Sequence, residues 1–367
     1  MMSFVFPILV PLFICGLIYY LTKRITKSFG LRKFWITFST IVLLTFLSLF
    51  GSQNLALSET ALGRIVSNSS AFWIMAVLYG LLSFAIIHIV GTFSKIKPKA
   101  QGIGGIVMAA GIIGYGIFNS YSIRVTEVTV PIKGLEKPMK VVHLTDIHLG
   151  NFRGKNFLSN VAEKINELQP DLILHTGDLF DSGAHFYPGS DVLSPFKNLQ
   201  APHYFVEGNH DQAVGIEKVI PLVEEQGIHF LRNQITSAGP FQLIGFNNMA
   251  KDSISFDLHT IPGEETIFSV VQDLEIDPIK PTIALHHRPD GGEYLEPKGV
   301  DLLLAGHTHG GQMFPFTLIA KQMYTYLDGL YQFQNLSIYV SEGVGTIFFP
   351  IRIGTQSEIT LIHLIPN

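Results

Sequence analysis

The first third of the chain consists of long apolar stretches that charged residues rarely interrupt. Four stretches before residue 124 contain no Asp, Glu, Lys or Arg, and each is long enough to cross about 30 Å of hydrocarbon at about 1.5 Å per residue. We predict membrane-spanning helices near residues 4–21, 34–50, 72–90 and 102–118. Buried core helices are the alternative, but the rest of the chain breaks its apolar runs with charge or Pro every few residues.

Basic residues in the connecting loops predict how these helices are oriented. Two loops carry clusters: Lys23, Arg24, Lys27, Arg32 and Lys33 follow the first span, and Lys95, Lys97 and Lys99 follow the third. The positive-inside rule assigns both loops to the cytoplasm, which puts the C-terminal part of the chain on the non-cytoplasmic side. No Lys or Arg precedes the first apolar run, which favours a retained helix over a cleaved signal peptide.

The remaining two thirds alternate short apolar runs with amphipathic segments. Residues 121–132 predict an edge strand that Pro131 ends, and residues 157–168 predict a helix. Buried strands are predicted at 141–144, 172–174, 204–206, 283–285 and 302–304, and further strands near 241–244, 337–340 and 358–364 indicate a second sheet. The sequence therefore predicts a four-helix transmembrane region over residues 1–120 and an α/β domain over residues 121–367, a two-sheet sandwich flanked by helices.

Charge separates the same two regions. Residues 1–120 contain 9 Lys or Arg and 1 acidic residue, a net charge of +8, whereas residues 121–367 contain 16 and 28, a net charge of −12. So acidic a domain argues against a nucleic-acid partner, because phosphate backbones are bound by an excess of Lys and Arg. The only cysteine, Cys15, excludes a disulfide framework and a Cys-based zinc site. A metal ion would have to be bound by His, Asp and Asn.

Such residues follow several of the predicted strands as short motifs. They are Asp146-Ile147-His148, Gly177-Asp178, Gly208-Asn209-His210-Asp211, His286-His287-Arg288-Pro289 and Gly306-His307-Thr308-His309. In open α/β sheets the loops after the strands converge on one crevice, so we expect one site. A single motif of this kind is weak evidence, because it is more often a turn or a helix cap. Only one of the adjacent histidines His286 and His287 can face the site from a strand end.

Taken together and in this order, the motifs resemble the calcineurin-like metallophosphoesterase superfamily over about residues 139–364. The resemblance is closest to the membrane-associated bacterial branch of that superfamily. Beyond the motifs above, the branch shares Gly310-Gly311-Gln312, Tyr339-Val340-Ser341, Gly343-Val344-Gly345-Thr346 and Glu358-Ile359-Thr360-Leu361.

The resemblance implies a pair of metal ions and their ligands. One ion would take Asp146, His148, Asp178 and His309, and the other Asp178, Asn209, His287 and His307, with Asp178 bridging. His287 is preferred over His286 because the ligand histidine of the family stands two residues before a proline, and His286 is the alternative. Arg288 stands where relatives often have Asn, and Glu342 where they often have Arg. We therefore expect different substrate contacts, with Arg288 as a candidate.

Two cations bound in this way lower the pKa of a shared water and supply hydroxide for in-line attack on phosphorus. His210 is the candidate for protonating the leaving oxygen, and Asp211 for orienting His210 or raising its pKa. Mn²⁺ is the first choice of metal, with Fe or Zn²⁺ as alternatives, because ligand type alone does not select the ion.

These expectations describe a multi-pass enzyme of the bacterial cytoplasmic membrane. We expect it to hydrolyse phosphodiester or pyrophosphate bonds of a lipid-linked or envelope-derived substrate, with its catalytic domain outside the cytoplasm. One alternative is a pyrophosphatase acting on an acylated sugar nucleotide of lipid A synthesis, although nucleotide pools are cytoplasmic. Another is a membrane receptor or transporter with a non-catalytic metal-binding domain. The sequence does not predict an oligomeric state.

Overall fold

Four long helices precede the sheets in the computed structural model, which describes residues 2–54, 61–181, 190–249 and 265–367. The helices are α1 (Met2–Phe29), α2 (Phe34–Asn54), α3 (Ala61–Ser94) and α4 (Pro98–Tyr121). The chain divides into two compact units, the first ending at Phe118 and the second beginning at Asn119.

Three of these helices are long and apolar enough to cross a membrane. The segments that qualify are Leu9–Phe29, Leu62–Ser94 and Pro98–Tyr121. The apolar part of α2 within the described residues, Phe34–Leu49, is shorter. The structure thus supports membrane association through three helices, each extending beyond the span predicted for it at one end or both.

The second unit contains twelve strands and six further α-helices among its described residues. The strands are β1 (Ile123–Ile132), β2 (Met139–Leu144), β3 (Leu172–Thr176), β4 (His203–Val206), β5 (His229–Phe230), β6 (Gln234–Ala238), β7 (Phe241–Gly245), β8 (Thr282–Leu285), β9 (Leu302–Ala305), β10 (Gly329–Phe333), β11 (Leu336–Val340) and β12 (Ser357–Pro366). The helices are α5 (Lys155–Leu168), α6 (Asn209–Val214), α7 (Ile216–Glu224), α8 (Ile267–Asp273), α9 (Gly292–Leu295) and α10 (Phe316–Met323).

The strands form two six-stranded mixed sheets. The first has the order β1-β12-β2-β3-β4-β5 and the second the order β10-β11-β9-β8-β7-β6. Within the first sheet β2, β3, β4 and β5 run parallel, and within the second β7, β8, β9 and β11 do. Parallel central strands explain the continuous apolar runs of the sequence, because both faces of such strands are covered.

Three apolar clusters cover both faces of each sheet. Between the sheets, Val141 and Leu172 of the first pack with Ile283 and Leu302 of the second. A second cluster lies between the outer face of the first sheet and α5 and α7, and a third joins the second sheet to α8 and α9. The predicted sandwich flanked by helices is therefore confirmed.

The first strand departs from its predicted bounds. Tyr121 belongs to the end of α4, so β1 begins at Ile123, and Pro131 lies inside the strand opposite Ile365 instead of ending it. Proline has no N–H to donate, but β1 is an edge strand with one neighbour, where this loss is tolerated. The predicted edge position is confirmed.

His175 and His203, which were not assigned to any site, lie in the core of the first sheet. Their rings stack with centroids 5.7 Å apart, and Phe196 packs edge-on against His203 at 5.2 Å. Burial, followed by the electrostatic effect of nearby His229, lowers the pKa of His203 to about 3. His203 is therefore neutral in the folded protein at any ordinary pH.

We expect this burial to make the fold acid-sensitive. Unfolded His203 takes up a proton below about pH 6.5, whereas the folded form does so only near pH 3. Between these values the unfolded state binds more protons, so the free energy of unfolding falls as the pH falls. His203→Phe should reduce the decrease in the free energy of unfolding between pH 6.5 and 5 by about 2 kcal/mol. Calorimetric melting of the full chain in detergent at both pH values measures this, and an equal acid shift in both proteins would contradict it.

Candidate metal centre

The site is assembled from loops that follow parallel strands of both sheets. Asp146 and His148 follow β2, Asp178 follows β3, and Asn209 and His210 begin α6 just after β4. From the second sheet, His287 follows β8, and His307 and His309 follow β9. The carboxyl ends of these strands meet at one edge of the sandwich, as expected for an α/β crevice.

Five of these residues adopt a backbone conformation that is unusual for non-glycine residues. Asp146, His148, Asp178, His307 and His309 have φ between 50° and 72°, in the left-handed region. Such a conformation costs roughly 1–3 kcal/mol per residue and persists where surrounding contacts fix it. It turns each side chain off the end of its strand towards the others.

Backbone hydrogen bonds between the loops provide those contacts. The amide of Asp146 donates to the carbonyl of Gly177 at 3.0 Å, and the amide of His148 donates to the carbonyl of Asp178 at 3.0 Å. Backbone hydrogen bonds therefore hold the loop after β2 against the loop after β3. On the side of the second sheet, the amide of His307 donates to Oδ2 of Asp146 at 3.0 Å.

The first group of donor atoms contains Asp146, His148 and His309, with Asp178 beside them. Nε2 of His309 lies 3.3 Å from Oδ1 of Asp146 and 3.1 Å from Nε2 of His148. Nε2 of His148 lies 3.7 Å from Oδ1 of Asp146 and 3.6 Å from Oδ2 of Asp178. Donor atoms of Asp146, His148 and His309 thus lie within 4.8 Å of one another, and Oδ2 of Asp178 lies beside Nε2 of His148.

The second group shares Oδ2 of Asp178. Nε2 of His287 lies 3.2 Å from that oxygen and 3.3 Å from Nδ1 of His307. Nδ1 of His307 in turn lies 3.0 Å from Oδ1 of Asn209. Oδ1 of Asp178 accepts a hydrogen bond from the amide of His210 at 2.8 Å, which directs Oδ2 into both groups.

Three features of these groups fit metal ions. Ligand atoms bound at about 2.0–2.2 Å to one ion lie about 3.0–3.6 Å from each other in octahedral or tetrahedral geometry, close to the separations found here. Oδ1 of Asp146 is buried and forms no hydrogen bond with any described residue. Nδ1 of His287 lies 2.7 Å from the carbonyl of Thr176, so an N–H there donates and leaves Nε2 as the ligand nitrogen.

The pKa values of these residues also fit the binding of cations. Burial alone would raise the pKa of Asp178, but neighbouring histidines, His287 first, hold it well below its usual value. Burial holds the pKa of His307 and of His309 well below 6.5, so both offer neutral nitrogens. For His287 burial is outweighed by Asp178, which raises its pKa to about 9. A cation at this position would replace that proton.

His210 lies at the edge of the first group, and the carboxylate facing it is not the expected one. Oδ1 of Asp181 is 3.5 Å from Nδ1 of His210, and the rings of His210 and His148 are edge-on at 4.7 Å. Asp211 was expected to orient His210. Its carboxylate instead accepts hydrogen bonds from the amides of Gly208, Leu179 and Phe180, at 3.0, 3.3 and 3.0 Å. Asp211 thereby joins the loops that carry Asp178 and Asn209.

The two histidines before Arg288 point to different surroundings. His287 belongs to the second donor group, whereas His286 packs edge-on against Phe246 with ring centroids 6.1 Å apart. Arg288 is buried, and its Nε lies 3.8 Å from Oδ2 of Asp290. Its charge contributes to the low pKa of His307, so the guanidinium lies within electrostatic reach of the second group.

Arg352 is a residue of the site that sequence reasoning missed. Its fully buried guanidinium donates to the carbonyls of Glu342, Gly343 and Gly345 at 2.6, 3.0 and 2.8 Å, and lies 3.2 Å from Nδ1 of His309. Burial lowers the pKa of Arg352 to about 10, so it stays cationic at neutral pH. An arginine between Pro350 and Gly354 carries no motif that would have indicated this place.

Glycine is required at position 208, where this loop passes close to the loop that carries Asp178. A Cβ at this position would lie 2.5 Å from the amide nitrogen of Asp178 and would overlap the carboxylate of the same residue. Gly208→Ala should displace Asp178, and misplacing a reacting group by about 1 Å can lower a rate about 100-fold. We therefore expect a loss of that size in kcat/KM and a loss of bound metal, measured by hydrolysis assay and metal analysis.

Gly154→Ala is the matched control, because nothing lies within 4 Å of a Cβ at that position. Its metal content and activity should match those of the wild type. If Gly208→Ala also kept its metal and its rate, the close approach of the two loops would not be what positions Asp178.

The fold and the two donor groups form a candidate metal centre, and comparison with known proteins identifies the family. A family model described as calcineurin-like phosphoesterase matches residues 139–311. Phosphodiesterase YaeI of Escherichia coli is 32% identical over 243 residues, which cover 62% of this chain and 83% of that protein. The chain belongs to the calcineurin-like metallophosphoesterase family.

One further relative is a transmembrane protein, and another matches this chain over only part of its own length. A transmembrane protein with metallophosphoesterase domain from Danio rerio is 29% identical over 282 residues, covering 72% of this chain and 62% of that protein. An uncharacterized metallophosphoesterase of Helicobacter pylori is 33% identical over 249 residues, 66% of this chain. That match spans only 64% of the length of the Helicobacter pylori protein.

Proposed function

We propose that this protein is a membrane-anchored, dinuclear metallophosphoesterase that hydrolyses phosphodiester or pyrophosphate bonds. One observation carries the proposal: two groups of buried donor atoms share Oδ2 of Asp178. In the reaction the oxygen of water forms a new bond to phosphorus, the bond to the leaving oxygen breaks, and a proton ends on that oxygen.

The residues proposed to hold the ions are those of the two donor groups. They are Asp146, His148, Asp178 and His309 for one ion, and Asp178, Asn209, His287 and His307 for the other. When bound, the ions supply a nucleophile at neutral pH and positive charge for the phosphoryl oxygens. Mn²⁺ remains our first choice, with Fe or Zn²⁺ as alternatives, because ligand type alone does not select the ion.

The remaining roles belong to side chains around the two groups. His210 is proposed to donate the proton to the leaving oxygen, and Asp181 to orient its ring, since it faces Nδ1. Asp211 is proposed as a positioning residue that fixes the loops of Asp178 and Asn209. Arg288 and Arg352 are proposed to add positive charge beside the phosphoryl group, which is usually the main contribution of a protein to phosphoryl transfer.

We further propose that four helices cross a bacterial cytoplasmic membrane. Because α3 is long and apolar enough to cross, the clusters around Lys23 and Lys97 lie on the same side only if α2 crosses as well. With 21 residues, α2 is about 31 Å long, which is sufficient. The catalytic unit then faces the non-cytoplasmic side, and alkaline phosphatase fused after Tyr121 should be active. Green fluorescence of a fusion at the same point, without phosphatase activity, would contradict this orientation.

The enzymatic proposal is tested by removing the metal. Full-length protein purified in detergent without chelator should contain about two ions per chain and hydrolyse bis-p-nitrophenyl phosphate. Chelation should abolish the rate, and added Mn²⁺ should restore it. Two bound ions without turnover of phosphodiesters or pyrophosphates would favour the alternative of a non-catalytic binding domain in a receptor or transporter.

The site does not favour the alternative substrate, an acylated sugar nucleotide, over other lipid-linked phosphoesters. We propose the broader class, because the proposed orientation separates the catalytic unit from cytoplasmic nucleotides. A nucleic-acid substrate is not proposed, since the unit is strongly acidic.

A further inference from the structure

An apolar surface borders the metal centre. Helix α10 exposes Phe316, Leu318, Ile319 and Met323, each by between 42% and 55%, and Phe348 is exposed by 39%. We call these five residues the apolar rim. Large apolar side chains grouped on a soluble domain usually mark a contact surface.

Ring contacts at two points place the rim at the edge of the centre. Tyr324, which follows α10, packs against His307 with ring centroids 6.0 Å apart. Phe348 lies 6.3 Å from His210, again between ring centroids. The rim therefore flanks both the second donor group and the proposed proton donor.

The loop that carries Phe348 is also hydrogen-bonded to the last turn of α4. The residues of this turn from Asn119 onwards belong to the second unit. Nδ2 of Asn119 donates to the carbonyls of Arg352 and Thr355 at 3.1 and 2.8 Å, and Oγ of Ser120 donates to the carbonyl of Pro350 at 3.0 Å. These bonds hold the loop that carries Phe348 against the end of a helix that is apolar enough to cross a membrane.

Gln312 extends this connection to α10. Its side chain donates to the carbonyl of Ile347 at 3.0 Å and accepts from the amide of the same residue at 2.7 Å. Two residues further on, the amide of Phe314 donates to the carbonyl of Ile353 at 2.8 Å. A continuous set of hydrogen bonds therefore leads from the end of α4 through the Phe348 loop to the start of α10.

The charge pattern of this surface fits a lipid bilayer. Residues 310–327 and 343–357 contain no Asp or Glu, although the unit as a whole carries a net charge of −12. The only charged residue exposed on α10 is Lys321. An acidic domain that approaches anionic headgroups needs a face without carboxylates, and apolar side chains with a flanking Lys are typical of helices in the interface.

We propose that the apolar rim is seated in the headgroup region of the same bilayer that α4 enters. The metal centre then opens onto this bilayer and takes its phosphoester from an amphiphile held there. The second statement rests on the proposed phosphoesterase function, whereas the first does not. The bilayer is the proposed occupant, because the rim is continuous with the membrane end of α4.

Measurements of depth in the bilayer test whether the apolar rim is seated there, and they do not depend on enzymatic activity. Single cysteines replace Leu318, Ile319 or Ile279 in a Cys15→Ser background and are spin-labelled in the full chain, in phosphatidylcholine and phosphatidylglycerol vesicles. Ile279 is the matched control: it is exposed by 84% and lies beside Gly134, beyond the far end of β1. Ten residues of strand put that end about 30 Å from α4.

Labels at Leu318 and Ile319 should be more accessible to oxygen, which dissolves in the bilayer, than to a water-soluble nickel complex. The label at Ile279 should show the reverse. Equal water accessibility at all three positions would overturn the proposal. Protection of Leu318 and Ile319 from both reagents would overturn it as well, since it would indicate a protein partner or a second copy of the chain.

Activity on two matched esters tests the substrate. Both release p-nitrophenol: methyl p-nitrophenyl phosphate is soluble, and hexadecyl p-nitrophenyl phosphate is held in the vesicles. Leu318→Ser/Ile319→Ser should lower the ratio of hexadecyl to methyl kcat/KM at least about tenfold. Ile279→Ser should leave this ratio unchanged.

An unchanged ratio in the double variant would overturn the inference about the substrate while the phosphoesterase function stood. Failure of the metal-loaded wild type to hydrolyse either ester would overturn the proposed function, and with it the statement about substrate. In that case the depth measurements still decide whether the rim is seated in the bilayer.

Discussion

Asp178→Asn should abolish the proposed dinuclear centre. The substitution keeps the size of the side chain but removes the charge of the oxygen that both donor groups share. The bound metal should fall from about two ions per chain to about one or none. The loss of several kcal/mol of charge stabilisation should lower kcat/KM at least about 1,000-fold. Elemental analysis and a hydrolysis assay with bis-p-nitrophenyl phosphate measure the two effects.

Asp191→Asn is the matched control for this experiment. Asp191 is an exposed carboxylate that pairs with Lys155 at 2.7 Å, and exposed pairs of this kind contribute little to stability. The control should retain both its metal content and its rate. An Asp178→Asn protein that still bound two ions and turned over substrate normally would show that this carboxylate does not bridge them.

The sequence predicted the elements that carry the centre because two independent patterns coincide there. Short apolar runs such as Leu172–Leu174 mark the buried parallel strands, and the motif that follows marks the loop at the strand end. Both patterns are local, so they can be recognised without knowing the rest of the fold. For this reason the positions of Asp146, Asp178 and His307 at strand ends were anticipated.

Roles that depend on side-chain direction were harder to predict. Adjacent residues at the start of a helix point in directions about 100° apart. His210 and Asp211 therefore diverge: the first lies beside His148, and the second turns back to the amides of Phe180 and Gly208. The partner of His210 comes from the loop after β3, a relation that sequence adjacency does not reveal.

Arg352 and the apolar rim illustrate a second limit. Residues 345–355 have neither helical nor strand periodicity, so the sequence gives no direction for their side chains. Only the packing of this loop against Asn119 and Gln312 places Arg352 beside His309 and Phe348 beside His210. Contacts between segments 35 to 233 residues apart along the chain are set by the tertiary fold.

His210→Ala should lower kcat in proportion to the need of the leaving group for a proton. With diphenyl phosphate, whose phenolate is a strong base, we expect a loss of about 100- to 1,000-fold. With bis-p-nitrophenyl phosphate the loss should be less than about tenfold, because p-nitrophenolate leaves without protonation. Metal content should be unchanged, since neither donor group includes this ring. Steady-state kinetics with both esters and elemental analysis provide the measurement.

His363→Ala is the control, because His363 pairs with Glu127 on the first sheet, 2.8 Å away, and belongs to neither donor group. It should behave as wild type with both esters. Equal losses of His210→Ala with both esters would exclude proton donation, and a parallel loss of metal would make the ring a ligand. Asp181→Asn separates orientation from chemistry: it should reproduce part of the loss with diphenyl phosphate alone, because the imidazole remains but its ring is no longer held by the carboxylate at Nδ1.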